Sequence, residues 1–285
     1  EEYIAMAPLH NRAALNGVLA CEENMPGIPQ VCVFDTSYHQ TMDPTHYMYA
    51  IPYEDYEKYK VRRYGAHGTS HKFVAKEVAK LMDKPLEDLK IITCHLGNGA
   101  SVSAINGGKI IDTSMGFTPL EGLVMGTRTG DIDPAAVLFL MKQKGMSVEE
   151  TDNYLNKQSG LLGVSGLSND FRDIEGAMDE GHERAQLAYD MFALRVKKYI
   201  GAYIAELNGF DAIAFTAGIG ENDDRIRASI CENMENLGLA IDLDKNRGCR
   251  KQAEITAEGA KVRAFIVPTN EELAIAQETL EALGK

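Results

Sequence analysis

Cysteine is scarce and unpatterned in this chain of 285 residues. Cys21, Cys32, Cys94, Cys231 and Cys249 are odd in number, and no two are spaced as CxxC. That excludes a disulfide framework or a zinc ribbon. It predicts free thiols in a reducing compartment, hence a cytoplasmic protein. Positive charge is also short: 29 Lys and Arg face 42 Asp and Glu, for a net charge of −13. Nucleic acids and anionic membranes both need a positive face, so neither is expected as a partner. An anionic ligand would have to be held by a few local cations and by backbone N–H groups. No apolar run reaches transmembrane length and no signal peptide is evident. Repeats, low-complexity tracts and flexible linkers are missing too. So is GxxxxGK[ST], which excludes a P-loop. The chain opens on EEYIAMAPLH without an initiator Met, so a stretch before Glu1 is expected.

What is present reads as an α/β protein, large enough for one big domain or two modest ones. QVCVF at 30–34 reads as a short buried strand ending at Asp35. TSHKFVAKEVAKLMDKP reads as a helix with Thr69 or Ser70 as cap and Phe73, Val74, Val78, Leu81 and Met82 on its apolar face. IITC, ASVSAI and KIIDTS, separated by turns at GNG and NGG, predict an antiparallel meander. Residues 115–133 are glycine-rich without periodicity and read as a long functional loop. Helices follow near 134–144 and 148–157, then a polar loop at SGLSNDFRDI. A long helix over 183–207 places Phe192, Val196, Tyr199, Tyr203 and Leu207 on one face. DAIAF and VRAFIVP read as strands, TAGIGEN as a loop, and DDRIRASICENMENL and NEELAIAQETLEAL as helices.

Three loops could carry chemistry, and each has a bland alternative. In HLGNG, Asn98 between Gly97 and Gly99 is an ordinary hairpin pair, but it also lets backbone N–H groups approach an anion, with His95 as an added donor. TAGIGEN follows a buried strand, where α/β proteins place nucleotides, or is a simple glycine turn. Asp223 and Asp224 would repel a triphosphate, so Gly218 and Gly220 would sit near a sugar or base. In MGTRTGDID, Arg128 is a solvated loop arginine or a fork free for an oxyanion. His67 in YGAHGTSH is a structural histidine or a second donor. Taken together, the loops suggest phosphoryl chemistry without naming a substrate.

APLHN, VFDTSYH, RRYGAHGTSHKFV, HLGNGAS, DTSMGFTPLEGLVMGTRTGDIDP, SNDFRDI, FTAGIGEN and NEELAIA, in this order, resemble acetate kinases. The resemblance covers essentially the whole chain. It implies membership of the acetate and sugar kinase, Hsp70 and actin superfamily. The implied fold is α/β, a ribonuclease-H-like (actin-like ATPase) pair of lobes, with the second lobe complete and the first truncated. Residues 1–36 would be the remnant of the first lobe, 37–272 the nucleotide-binding second lobe, and 273–285 a closing helix on the first. The family's GSSS-type phosphate loop, an Asn near Mg²⁺, a Lys near ATP and a second substrate arginine have no counterpart here. About a hundred residues of a typical relative would precede this chain.

The resemblance implies reversible transfer of the ATP γ-phosphoryl group to acetate, giving acetyl phosphate and ADP, with Mg²⁺, in a homodimer. Carried over position by position, Asp35, His67 and Arg128 are the catalytic set. His95, Leu96, Gly97, Asn98 and Gly99, then Asp170, Phe171 and Arg172, then Gly218, Ile219, Gly220, Glu221 and Asn222 bind ATP. Glu271 holds Mg²⁺. Leu9, His10, Ala66 and Pro119 form the pocket for the acyl methyl group. Acetate is ionised near pH 7 and has no proton to lose, so Asp35 is expected to orient a neighbour instead of acting as a base. The alternatives are a propionate kinase, a nucleotide-gated binding module like actin or Hsp70, and an inactive fragment. Ala66, where many relatives carry Phe, favours some tolerance of propionate.

Overall fold

The computed structural model describes residues 8–284, with side chains from Arg12 onward in the first helix. The sequence does not signal that helix, α1 (Pro8–Asn24); it is followed by a turn at 25–28 and a stretch without regular structure that leads to Asp35. QVCVF lies in this stretch and is not a strand. A strand needs a neighbour to complete its hydrogen bonds. No described segment pairs with it, and Phe34 is 67% exposed. Then come α2 (Pro44–Tyr47), α3 (Tyr53–Tyr59) and α4 (Gly68–Met82). The meander is β1 (Lys90–Leu96), β2 (Ala100–Asn106) and β3 (Lys109–Thr113), as expected. After the irregular 115–133 loop, the helices are α5 (Pro134–Lys144), α6 (Val148–Lys157), α7 (Gly160–Ser165), α8 (Phe171–Asp179) and α9 (Glu183–Leu207). The chain closes with β4 (Ala212–Thr216), α10 (Ala217–Asn222), α11 (Asp224–Cys231), α12 (Leu243–Asn246), β5 (Ala253–Glu254), β6 (Arg263–Ile266) and α13 (Glu271–Ala282).

Two expected loops prove partly helical. In SGLSNDFRDI only the middle is loop, because Asp170 accepts from Arg172 N and caps α8 there. TAGIGEN winds into α10 directly from Thr216. The helix after it stops at Cys231, earlier than expected.

One mixed six-stranded sheet, ordered β3-β2-β1-β4-β6-β5, organises the molecule. Its centre is parallel: Ile91–His95 run beside Ala212–Thr216, and Ala212–Phe215 beside Arg263–Ile266. The carboxyl ends of β1, β4 and β6 therefore open on one edge, where sheets of this kind hold ligands. Alternation divides the strands between two layers. Ile92, Cys94, Leu96, Ala100, Val102 and Ala104 pack with Phe192, Val196 and Tyr203 of α9. The opposite face meets α4 and α13, where Phe73, Val74 and Val78 pack on Ile91, Ile105 and Ala274. On that second face β1 and β2 also carry Thr93, His95, Ser101 and Ser103, all buried. Buried polar groups at these positions need partners: α4 supplies them for Thr93, His95 and Ser101, and Thr113 of β3 for Ser103. All five cysteines are free, as expected, and no helix among the described residues is long and apolar enough to cross a membrane.

Candidate active site

The site forms where the carboxyl edge of the sheet meets the start of α4. Helix α4 has no cap of its own from Thr69 or Ser70, contrary to expectation. Asp35 caps it from 32 residues upstream: one carboxylate oxygen accepts from His67 N at 2.6 Å, the other from Thr69 N at 3.3 Å, and its carbonyl accepts from Gly68 N at 2.8 Å. A Cβ on Gly68 would stand 2.3 Å from that carbonyl, so only glycine allows the approach. His67 itself is held in the left-handed region at φ 60°, a strained conformation for a side chain of this size.

His67 is fixed on all sides. Its ring stacks on His95 with centroids 4.0 Å apart, and its Nδ1 shares a hydrogen bond with Ser101 Oγ at 2.8 Å. Ser101 Oγ also meets His71 Nε2 at 2.8 Å, and His71 Nδ1 meets Thr93 Oγ1 at 2.7 Å. His95 Nδ1 lies 2.8 Å from Ser70 Oγ, which reaches Thr269 Oγ1 at 2.8 Å. Burial, then the charge of Arg128, holds His67 down at about 4. Burial also brings His95 down to about 3, and pushes His71 well below the ordinary histidine value. These rings are therefore neutral at physiological pH.

Arg128 approaches from the 115–133 loop. Its Nη1 donates to the Pro119 carbonyl at 3.2 Å and contacts Met125 Sδ. Among the described residues no carboxylate pairs with it. A Cβ on Gly99 would lie 3.3 Å from Arg128 Nη1 and 3.6 Å from His67 Nε2. The two groups thus converge over Gly99, the second glycine of the bend. Asn98 docks the neighbouring loops. Its carbonyl accepts from Gly126 N, and its Oδ1 accepts from Asn169 Nδ2 at 3.1 Å.

The next strand end carries α10. Ala217 is left-handed at φ 64°, and the Glu221 carboxylate turns inward to accept from Ala217 N and Thr269 N. The fully buried Arg227 donates to the carbonyls of Gly220, Glu221 and Cys249 and to Asn246 Oδ1. No carboxylate is among its partners. Arg227 thus anchors the end of α10 to the body of the protein.

A sequence model of the Acetokinase family matches residues 1–277. The acetate kinase of Halothermothrix orenii is 60% identical over 279 residues, covering 98% of this chain and 70% of that protein. The acetate kinase of Natranaerobius thermophilus is 58% identical over 285 residues, covering 100% of this chain and 72% of that protein. Among solved structures, Porphyromonas gingivalis acetate kinase superposes with a TM-score of 0.96 at 48% identity, covering 99% of this chain and 71% of that one. The chain belongs to the acetokinase family. A propionate kinase from Francisella tularensis superposes with a TM-score of 0.91 at 46% identity, covering 97% of this chain and 71% of that one. The chain spans about 70% of the length of these acetokinase relatives.

Of the residues expected in an acetokinase site, the structure gathers Asp35, His67, His95, Gly99 and Arg128 at one edge. Ala66 adjoins His67, and Pro119 is tied to Arg128. Glu271 opens α13 close to Asp35, and partial burial together with that carboxylate raises its pKa. Gly218 has open space around it, and Gly220 is buried between β1 and β4. Phe171 is turned into the core against Tyr189 and Phe192, so it supports the adjoining turn from below. Arg172 folds back on Asp170, and this pairing holds the Asp170 carboxyl down at about 2. Leu9 and His10 fall in the first turn of α1, and their side chains lie outside the described residues. Ser101, His71, Thr93 and Arg227 were missed. The signal was there for the strand pair: Thr93 and His95 on β1, and Ser101 and Ser103 on β2, alternate with apolar residues and face a helix that begins after His67 and carries His71.

Proposed function

We propose that the protein transfers the γ-phosphoryl group of ATP reversibly to acetate, giving acetyl phosphate and ADP. The convergence of Arg128, unpaired with any carboxylate, and neutral His67 over Gly99 carries this reading. In phosphoryl transfer, charge spreads over the equatorial oxygens, and catalysis consists of positioning and neutralising it. Arg128 would fork onto those oxygens, and His67 would donate from Nε2. Asp35 would act through the helix start: it holds His67 in its strained conformation and takes no proton from acetate, which is already ionised. His95–Gly99 and Gly218–Asn222, on adjacent parallel strand ends, would line the nucleotide, with Asp170–Arg172 on its far side.

Asp35 and Glu271 suit Mg²⁺. They are neighbouring carboxylates, and the repulsion from Asp35 that adds to burial in raising Glu271 would be relieved by a dication. Mg²⁺ is commonly held by one or two carboxylates together with substrate phosphates. When bound, it would neutralise charge on the phosphate oxygens. The methyl group of acetate would rest near Ala66 and Pro119, together with Leu9 and His10. The small side chain of Ala66 favours propionate as a second substrate, and the likeness to a propionate kinase supports that reading.

The same reading takes the sheet and its helices, 37–272, as the second of two ribonuclease-H-like lobes. Residues 1–36 would belong to the first lobe and 273–285 would close over it. It also takes the protein as a cytoplasmic homodimer without nucleic-acid or membrane partners. Leu138 and Phe139, 67% and 60% exposed on α5, offer an apolar face for a second copy. The test is acetyl phosphate formation by the native protein and by its Arg128→Ala and His67→Ala variants. Turnover that does not depend on acetate, or that survives both substitutions, overturns the proposal.

A further inference from the structure

We propose that Thr93, His71 and Ser101 form a one-way hydrogen-bonded chain that fixes the tautomer of His67, with the proton on Nε2 facing the Arg128 notch. The proposal rests on the reading of His67 given above, and it makes these three positioning residues. The chain is continuous: Thr93 Oγ1 to His71 Nδ1 at 2.7 Å, His71 Nε2 to Ser101 Oγ at 2.8 Å, and Ser101 Oγ to His67 Nδ1 at 2.8 Å. Thr93, His71 and Ser101 are all fully buried, so water does not interrupt it.

Among the described residues no carboxylate faces a ring nitrogen of His67 or His71, and the Arg128 guanidinium stands over the His67 notch, so each ring is neutral, with one N–H and one lone pair. Ser101 Oγ could accept from both rings, but its own buried proton would then have no acceptor among the described residues. With that proton used, every link points the same way and two arrangements remain. In the first, the Thr93 hydroxyl donates to His71 Nδ1, His71 Nε2–H donates to Ser101, and the Ser101 hydroxyl donates to His67 Nδ1. The His67 proton is left on Nε2. In the second, every bond is reversed and Nε2 is left bare.

Thr93 decides between them. Its hydroxyl has no hydrogen-bond partner other than His71 among the described residues. In the reversed chain its proton would be buried without an acceptor, which is penalised. The first arrangement therefore holds even with the site empty. A phosphoryl oxygen then meets an N–H donor where the other arrangement would present a lone pair. The stack on His95 holds the ring plane while the chain sets the proton. This tautomer gives His67 a donor at Nε2 without a positive charge on the ring.

The test reads the proton directly. In native protein with ¹⁵N-labelled imidazoles, long-range ¹H–¹⁵N correlations should show His67 protonated on Nε2 alone. Ser101→Ala should mix the tautomers. It should also lower kcat on the order of ten- to a hundredfold, the usual loss when a histidine's orienting partner is removed, with KM for ATP and acetate moved by less than about twofold. Thr93→Val keeps the shape and removes the donor, so it should lower kcat in the same sense, and Thr93→Ser should restore it. This pair carries the test if Ser101→Ala fails to fold. A wild-type His67 protonated on Nδ1, or a tautomer and kcat unmoved by both Ser101→Ala and Thr93→Val, overturns the chain. If instead His67→Ala leaves kcat intact while the tautomer is fixed as described, the chain stands and the catalytic reading of His67 falls.

Discussion

Between β2 and β3 the strands turn at Gly107 and Gly108, with φ of 57° and 76°. A tight hairpin of this type requires two left-handed residues, and glycine adopts that conformation at little cost. Between β1 and β2 the glycines are Gly97 and Gly99, and neither is left-handed. Gly99 leaves room: a Cβ there would crowd Arg128 Nη1 at 3.3 Å and come into contact with His67 Nε2 at 3.6 Å. Gly107 and Gly108 thus answer a dihedral demand, together with close contacts that a Cβ would make to the Glu87 carbonyl oxygen and Leu86 at 3.2 Å, whereas Gly99 answers a spatial demand alone. Where glycine is not needed for its backbone angles, the space it leaves points to a site.

The sharpest way to break this comparison is to empty the notch. Arg128→Ala should lower kcat on the order of a hundred- to a thousandfold, as for loss of one preorganised charge-stabilising donor, with KM for ATP little changed. Steady-state kinetics on the native protein checks it, and an unchanged kcat would remove the first bend from the chemistry.

Acid should distinguish the bends next. His39, His67 and His95 are held near 4, 4 and 3 in the folded protein, below the ordinary 6.5. The unfolded chain therefore binds protons that the folded one refuses. Stability should be intact above about pH 6.5 and fall between there and about pH 4, with a slope of more than one proton. Denaturant titrations across this range measure it. Substituting all three histidines with neutral residues should flatten the slope.

The third test exchanges the roles of the bends. Gly99→Ala should lower kcat by about tenfold, the scale of a misplaced catalytic group worth about 1.4 kcal/mol, and leave the melting temperature nearly unmoved. Gly107→Ala should do the reverse, costing about 1–2 kcal/mol of stability for a forced left-handed alanine with kinetics unaltered. Matching effects from both substitutions would erase the distinction.

The smallest effect concerns the substrate's far end. The preference for acetate over propionate should be near the low end of about 10- to 200-fold in kcat/KM, and Ala66→Phe should widen it. A ratio unmoved by Ala66→Phe shows that this residue does not line the pocket.

What could be read from the sequence was local. The meander, α5, α6, α9 and α13 follow from periodicity and turn residues within a few positions of one another. The errors lie where a distant partner decides. QVCVF has the composition of a strand but no neighbour to pair with. The cap of α4 comes from Asp35, 32 residues away, so a nearby Thr69 or Ser70 looked sufficient. TAGIGEN looked like a loop because its glycines weaken helix propensity, yet Glu221 and Arg227 hold it wound. The candidate site residues follow from resemblance, and their surroundings do not. Ser101 and Thr93 become visible only once β1, β2 and α4 are stacked.

Arg227 carries a consequence for how the site comes apart. Its hydrogen bonds go to neutral oxygens, and among the described residues no carboxylate or imidazole bonds to it, although Asp223 and Asp224 lie near enough to favour its charge. Nearby, burial and Asp223 hold Glu175 up at about 7, so its protonation favours the folded state as pH falls from about 7 towards 4.5. The histidine end of the crevice has the opposite sign. Mild acid should therefore dismantle the two ends in a set order, with the His67 end loosening while the α10 end stays shut. Amide hydrogen exchange followed from pH 7 to 5 should show residues 67–71 losing protection relative to residues 220–227.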